Sequence, residues 1–178
     1  YNRAAEQSNR SVWNRIEGAG RWGVVCNGVS YGYVIDAIRE LGQAESFRVL
    51  RVGFSHPFPE TMTLSFLKGC DKVLVVEEGE PYLEEAVRNS AQKVGLTLEV
   101  QGKGEGLFSR LYEFNPALVK QVIAEFFGLP FQAYQPIQTD DLPEAPPRLP
   151  NLCAGCPHRA TYVAIREVFG DLAIYPTD

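Results

Sequence analysis

Between Leu152 and Arg159 the chain brings together the thiols of Cys153 and Cys156, the imidazole of His158 and the guanidinium of Arg159. Two cysteines separated by two residues can present both sulfurs to one metal ion or cluster face, because the small Ala154 and Gly155 let the backbone fold back. Pro157 suits the first turn of a helix, with Cys156 as its N-cap. The backbone N–H groups of such a helix start are aimed outward, and the helix dipole favours an anion there, a thiolate or a phosphate. Three readings stand for the pair: half of an iron–sulfur or zinc site, a redox dithiol, or packing. A dithiol of the thioredoxin kind follows directly on a strand and has proline between its cysteines, whereas here a proline-rich stretch precedes and Pro157 follows. Two thiols cannot close a four-coordinate site, so the missing ligands are expected outside this segment. Cys26 and Cys70, in or beside apolar runs, read as small buried hydrophobes. His158 reads as a donor to a bound phosphate or cofactor, or as an exposed first-turn residue. Arg159 reads as a fork for a carboxylate or phosphate, or as a surface charge.

The elements that must position this motif alternate along the chain. Trp22 to Cys26 is a short apolar run bounded by Asn27-Gly28, as in a buried parallel strand. Ser30 is expected to cap a helix carrying Tyr31, Val34, Ile35, Ile38 and Leu41, closed by Gly42. The pattern then repeats. Phe47 to Val52 reads as a strand, followed by a helix opened by Pro57 and Pro59 and ended by Gly69. Val73 to Val76 reads as a third strand, with a helix from Pro81 to Gly95, and Leu96 to Val100 as a fourth. Asn115-Pro116 caps a last helix bearing Leu118, Val119, Val122, Ile123, Phe126 and Phe127, stopped by Gly128. Strands and helices alternating through short loops predict an α/β domain of three layers, an open and mostly parallel sheet with helices on both faces.

Residues 1–20 read as a connecting arm held by Val12, Trp13 and Ile16, and residues 21–129 as the α/β domain. From 130 to 150 periodicity fails and prolines crowd in, which predicts a linker or strap. Beyond the cysteines, Tyr162, Val163, Arg166, Val168 and Phe169 fit a helix ending at Gly170, and Leu172 to Tyr175 read as the start of a strand. A second domain is therefore expected to open in residues 151–178. With no initiator Met and an end at Tyr175-Pro176-Thr177-Asp178, the chain reads as a segment of something longer.

Other candidates carry plainer explanations. Glu77, Glu78, Glu80, Glu84 and Glu85 fall at the carboxyl end of a strand and the start of a helix, where open α/β sheets bind ligands. Negative charge in a first helical turn is stabilised by the dipole in any case, and that explanation is preferred. His56 reads as a loop histidine. Neither Gly28-Val29-Ser30-Tyr31-Gly32 nor Gly102-Lys103-Gly104-Glu105-Gly106 has the spacing of a phosphate-binding loop.

Composition bounds the function classes. The 178 residues carry a net charge of -5 and show no basic run, which argues against nucleic acid as a partner. No apolar stretch reaches the roughly 18 residues of a membrane span, and no signal pattern opens the chain. Four cysteines, two of them in metal-type spacing, fit a reducing cytoplasm better than a disulfide scaffold.

Several stretches together resemble one family, the large (alpha) subunit of indolepyruvate ferredoxin oxidoreductase, a thiamine-diphosphate-dependent 2-oxoacid oxidoreductase. They are Cys153 to Arg159, Val75 to Glu85, Asn27 to Val34 and Tyr175 to Asp178. The family usually has proline where this chain has Ala154. The resemblance implies that residues 21–129 form a transketolase C-terminal-like domain with a five-stranded mixed sheet and that residues 151–178 open the diphosphate-binding domain. It implies a [4Fe–4S] cluster on Cys153 and Cys156, with a third cysteine beyond Asp178. It further implies thiamine diphosphate with Mg2+, oxidative decarboxylation of an arylpyruvate to an aryl-acetyl-CoA, ferredoxin as electron acceptor and a smaller second subunit. The family's pyrimidine-domain glutamate, diphosphate-Mg loop and ferredoxin-type cysteines do not occur in these residues. The chain alone is therefore expected to bind none of these cofactors and to be inactive, a structural and domain-docking piece. The rival expectation is a stand-alone docking domain with a structural zinc at Cys153 and Cys156.

Overall fold

The computed structural model describes residues 1–133, Leu152, residues 154–172 and Ile174. They fall into two compact units, divided between Gln135 and Pro136. The first unit is built on a five-stranded sheet. Its strands are β1 (Asn14–Glu17), β2 (Trp22–Asn27), β3 (Phe47–Val52), β4 (Lys72–Val76) and β5 (Glu99–Gln101), in the order β1-β3-β2-β4-β5. β1 runs antiparallel to β3, and every other pairing is parallel, so the sheet is mixed and mostly parallel as expected.

Both faces of the sheet are covered, which is why its inner strands are apolar at nearly every position rather than at alternate ones. Val24, Cys26, Val49, Leu74 and Val76 point to one face, against α2 (Ser30–Glu40) and α5 (Pro116–Phe127). Val25, Leu50, Val52, Val73 and Val75 point to the other, against α3 (Glu60–Leu67) and α4 (Tyr82–Lys93). The register pairs Val24 with Val49 and Leu74, and Val25 with Leu50 and Val75, so like faces coincide across the three central strands. The result is the three-layer α/β/α architecture.

Four sequence expectations change in detail. The first twenty residues contain α1 (Asn2–Arg10) and the edge strand β1, both within the first unit. Val12, Trp13 and Ile16 are all exposed, so apolar packing does not hold this stretch. Asn14 holds it instead: its Oδ1 accepts from the Gly53 and Phe54 N–H groups at 2.9 and 2.8 Å, and its Nδ2 donates to the Phe54 carbonyl at 3.0 Å. Ser8 adds a hydroxyl bond to the same carbonyl at 3.1 Å.

Ser30 is the first residue of α2 and is buried; the cap position belongs to Val29, whose backbone is already helical after the left-handed turn at Gly28. The last strand is shorter than its apolar run, because Leu96 and Leu98 cover the α3/α4 face without joining the ladder. Leu172 closes a short 3-10 turn after Gly170, and the remainder of the proposed strand start lies largely outside the described residues.

In the second unit, α6 (Pro157–Phe169) begins and ends where its sequence signals put it, with Cys156 at the N-cap, Pro157 in the first turn and Gly170 at the C-cap. No residue of α6 is buried.

Candidate functional site

The carboxyl edge of the sheet offers the first candidate. β2 and β4 are neighbours, yet the chain leaves them in opposite directions, through α2 to β3 and through α4 to β5. Ligands in open α/β sheets settle at such a point. A cleft of about 460 Å³ lies there, lined by Asn27, His56, Phe58, Glu77, Glu78 and Tyr82 among others.

The carboxylates of this edge are largely committed to the fold. Glu77, buried, accepts the backbone N–H groups of Leu83 and Glu84 at 2.7 and 2.8 Å, where α4 leaves its first donors unpaired. Burial pushes its carboxyl above the usual range, and the two N–H bonds and the Lys103 ammonium pull the other way without cancelling it. Glu78 accepts the Phe114 N–H at 2.8 Å. Glu84, also buried, is bonded by the Arg88 guanidinium at 2.9 and 2.8 Å and by the Gly104 N–H at 3.1 Å. Lys103 donates to the Ser109 carbonyl at 2.5 Å and lies 4.6 Å from the centre of the Phe114 ring. Burial pulls this ammonium below the usual lysine range, against the neighbouring glutamates.

The acid run and the glycine-rich turn therefore fasten the 102–115 loop to the edge of the sheet. Specific donors account for Glu77, Glu78 and Glu84, while only Glu84 and Glu85 stand in the first turn of α4, where the dipole acts. His56 lies in the loop after β3 and lines this cleft.

Cys26 and Cys70 are buried, as their apolar surroundings implied. Burial pushes the Cys26 thiol up to about 12 and the Cys70 thiol up to about 11, which makes both poor ligands and poor nucleophiles.

The start of α6 differs in exposure. Cys156 keeps its sulfur partly exposed, and its side chain accepts no backbone N–H of the helix it caps. The structure brings His158 to it, with Nδ1 3.4 Å from Sγ. The imidazole also lies near Tyr162, one turn on, with ring centroids 6.5 Å apart and planes tilted by 37°. Tyr162 had been read from the sequence only as a periodic helix residue; its spacing of four from His158 is the signal for this contact. Arg159 is exposed in the same turn, and its backbone N–H bonds the Cys156 carbonyl at 3.1 Å. Cys153 lies outside the described residues.

Among the described residues no group of three histidine, cysteine or acidic side chains converges as a metal site would require. The described donor is one accessible sulfur at a helix start, that of Cys156. A soft thiolate donor suits zinc or an iron–sulfur cluster and not a hard cation.

No family model matches the chain. Curated proteins do. The chain is 38% identical over 181 residues to indolepyruvate oxidoreductase subunit IorA of Methanothermobacter thermautotrophicus, covering 97% of this chain and 28% of that protein. It is 37% identical over 183 residues to the subunit of the same name from Pyrococcus abyssi, covering 97% and 27%. For that of Archaeoglobus fulgidus the figures are 38% over 177 residues, 96% and 27%. The chain thus spans well under a third of the length of these relatives. Its fold is similar to that of a solved structure, a split gene transketolase as an inactive beta4 tetramer, with a TM-score of 0.50 and 18% identity over 65% of this chain and 42% of that one.

Proposed function

From a chain that corresponds, along nearly its whole length, to a stretch of indolepyruvate oxidoreductase subunit IorA, we propose a central segment of the large subunit of an indolepyruvate ferredoxin oxidoreductase. The enzyme it serves oxidatively decarboxylates arylpyruvates to aryl-acetyl-CoA in the cytoplasm, with ferredoxin as acceptor and a smaller second subunit as partner. The similarity along 97% of the chain carries this reading. No helix among the described residues is long and apolar enough to cross a membrane.

In this reading residues 21–129 are the transketolase C-terminal-like organising domain, 130–150 the connection, and 151–178 the opening of the diphosphate-binding domain. Thiamine diphosphate with Mg2+ supplies the decarboxylation chemistry when bound, and a [4Fe–4S] cluster the exit for electrons. This chain's own residues bind and orient. Cys153 and Cys156 hold one side of the cluster. Arg159 and His158, in the first turn of α6, would bind an anionic group of the cofactor, which a guanidinium fork and the free N–H groups of a helix start suit. The edge carboxylates and Lys103 hold the organising domain's 102–115 loop against the sheet.

The test is the intact large subunit with its partner, prepared without oxygen. Iron with the broad visible absorption of a cluster, lost together in Cys156→Ser, supports the proposal. Stoichiometric zinc would overturn it in favour of a structural docking domain. The 178-residue chain alone is expected to show no turnover of indolepyruvate with ferredoxin, and measurable turnover would contradict its assignment as a dependent piece.

A further inference from the structure

We propose that the outer edge of β1 pairs with the same edge of a second copy of this chain. The two strands run antiparallel about a two-fold axis at Ile16, so that Arg15 of each copy meets Glu17 of the other.

The sheet order ends at β1, whose one strand neighbour among the described residues is β3. Opposite residues of an antiparallel pair alternate between those that exchange backbone hydrogen bonds and those that do not. The Gly53 N–H donates to the Trp13 carbonyl at 3.2 Å. In the same register Arg15 and Glu17 bond β3, while Asn14 and Ile16 turn their backbone groups to the open edge. The Asn14 N–H is taken by the Ser11 carbonyl at 3.1 Å. Ile16 is left with an N–H and a carbonyl facing outward, the pattern that a further strand completes. In a two-fold pair centred there, the two Ile16 residues exchange both bonds. Arg15 and Glu17 then fall opposite each other in the adjacent pairs, where side chains approach most closely.

The side chains agree with that register. Arg15 and Glu17 share one face of β1, and Ile16, 38% exposed, lies on the other. Arg15 stands opposite Arg51 of β3, a like-charged pair that costs stability. Among the described residues no carboxylate lies within ion-pair distance of either guanidinium. Arg15 Nε donates to the Val12 carbonyl at 2.9 Å, which leaves the outer nitrogens of the fork for a partner. Glu17 is held in place by the Tyr31 hydroxyl, which donates to its two oxygens at 3.2 and 3.0 Å. A carboxylate arriving from beyond the edge offsets the Arg15–Arg51 opposition, and a second copy brings one at the required position. Solitary edges are kept so by short strands and by charge, often lysine, that repels a copy of itself. β1 is short, but its two charges are opposite in sign at a spacing of two, which attracts its own copy, and the two-fold axis makes every contact twice.

The experiment uses the intact large subunit with its partner subunit. Arg15→Lys sets an amine against the same carboxylate, and a zero-length carbodiimide should join it to Glu17 of another copy. The expected product is a species of two large subunits on a denaturing gel, whose linked peptides carry positions 15 and 17, and it should vanish in R15K/E17Q. A link from position 15 to a carboxylate of the smaller subunit, or to another segment of the large one, would overturn the proposal, as would no link at all. Charge reversal supplies a second readout, by sedimentation of the same complex over a range of concentrations. Arg15→Glu and Glu17→Arg should each weaken association between large subunits about tenfold, because each substitution enters the interface twice, and R15E/E17R should restore it. Single reversals without effect, or a double variant weaker than either single one, would overturn the pairing. Should a reversal fail to fold, the conservative Arg15→Lys link still decides.

Discussion

At the carboxyl edge of the sheet, Glu77, Glu78, Glu84 and Lys103 all bond to this chain's own backbone or side chains. At the start of α6, Cys156 and His158 bond to each other, and the helix around them buries none of its side chains. Both regions are dense in ionisable groups, and both sit at a helix N-terminus. The first spends its hydrogen-bonding capacity inward, where a buried carboxylate must be satisfied or it destabilises the fold. The second leaves capacity open to a ligand. Density of charged residues is therefore a poor guide to a site, and unused capacity a better one.

Glu77→Leu should produce the largest effect that follows from this contrast. It leaves the Leu83 and Glu84 N–H groups buried without an acceptor, and should cost about 3 kcal/mol by denaturant unfolding of the chain. A stability unchanged by this substitution would remove the distinction between the two regions. Lys103→Met should cost about 1–2 kcal/mol, because it removes a charged donor from the Ser109 carbonyl. Faster amide exchange confined to residues 102–115 would show that the loop has opened.

The Glu77 carboxyl also gives a pH signature of known sign. Its folded value is raised, so between the unfolded carboxylate range and that higher folded value the native state holds more proton than the unfolded state. Stability should fall as pH rises through this window, and the fall should be absent in Glu77→Gln. Unfolding midpoints across mildly acidic pH would reveal the difference, and a rise in place of a fall would mean that the N–H bonds outweigh burial. The smallest effect belongs to the other region: Cys156→Ser should change the stability of the metal-free chain by no more than about 0.5 kcal/mol, since the sulfur is partly exposed. A loss of several times that size would recast Cys156 as a packing residue.

Much of the architecture is legible along the chain because helix ends are chemical. Asn115 caps α5 through its Oδ1 on the Leu118 N–H at 2.9 Å, and Gly128 ends it in the left-handed region, as the residue types require. Gly69 shows where such reasoning stops. It looks like a helix stop, yet it has no left-handed backbone, and a Cβ there would meet Arg48 Nη1 at 1.9 Å. The space beside it is filled by the guanidinium end of a side chain from a strand twenty-one residues earlier. Asn14 is similar: nothing local marks it, since its side-chain partners, Ser8, Gly53 and Phe54, come from α1 and the turn after β3.

The order of residues by itself determined the alternation of strand and helix, the start of α6 at Cys156 and Pro157, and the burial of Cys26 and Cys70. Each follows from patterns a few residues long, which backbone sterics and apolar periodicity read directly. The tertiary structure alone decided which strand lies beside which, that Glu77 and Lys103 turn inward, and that His158 leans on the Cys156 sulfur. Those outcomes depend on what distant or rotatable groups leave unpaired once the layers have packed, and no short stretch of sequence contains that information.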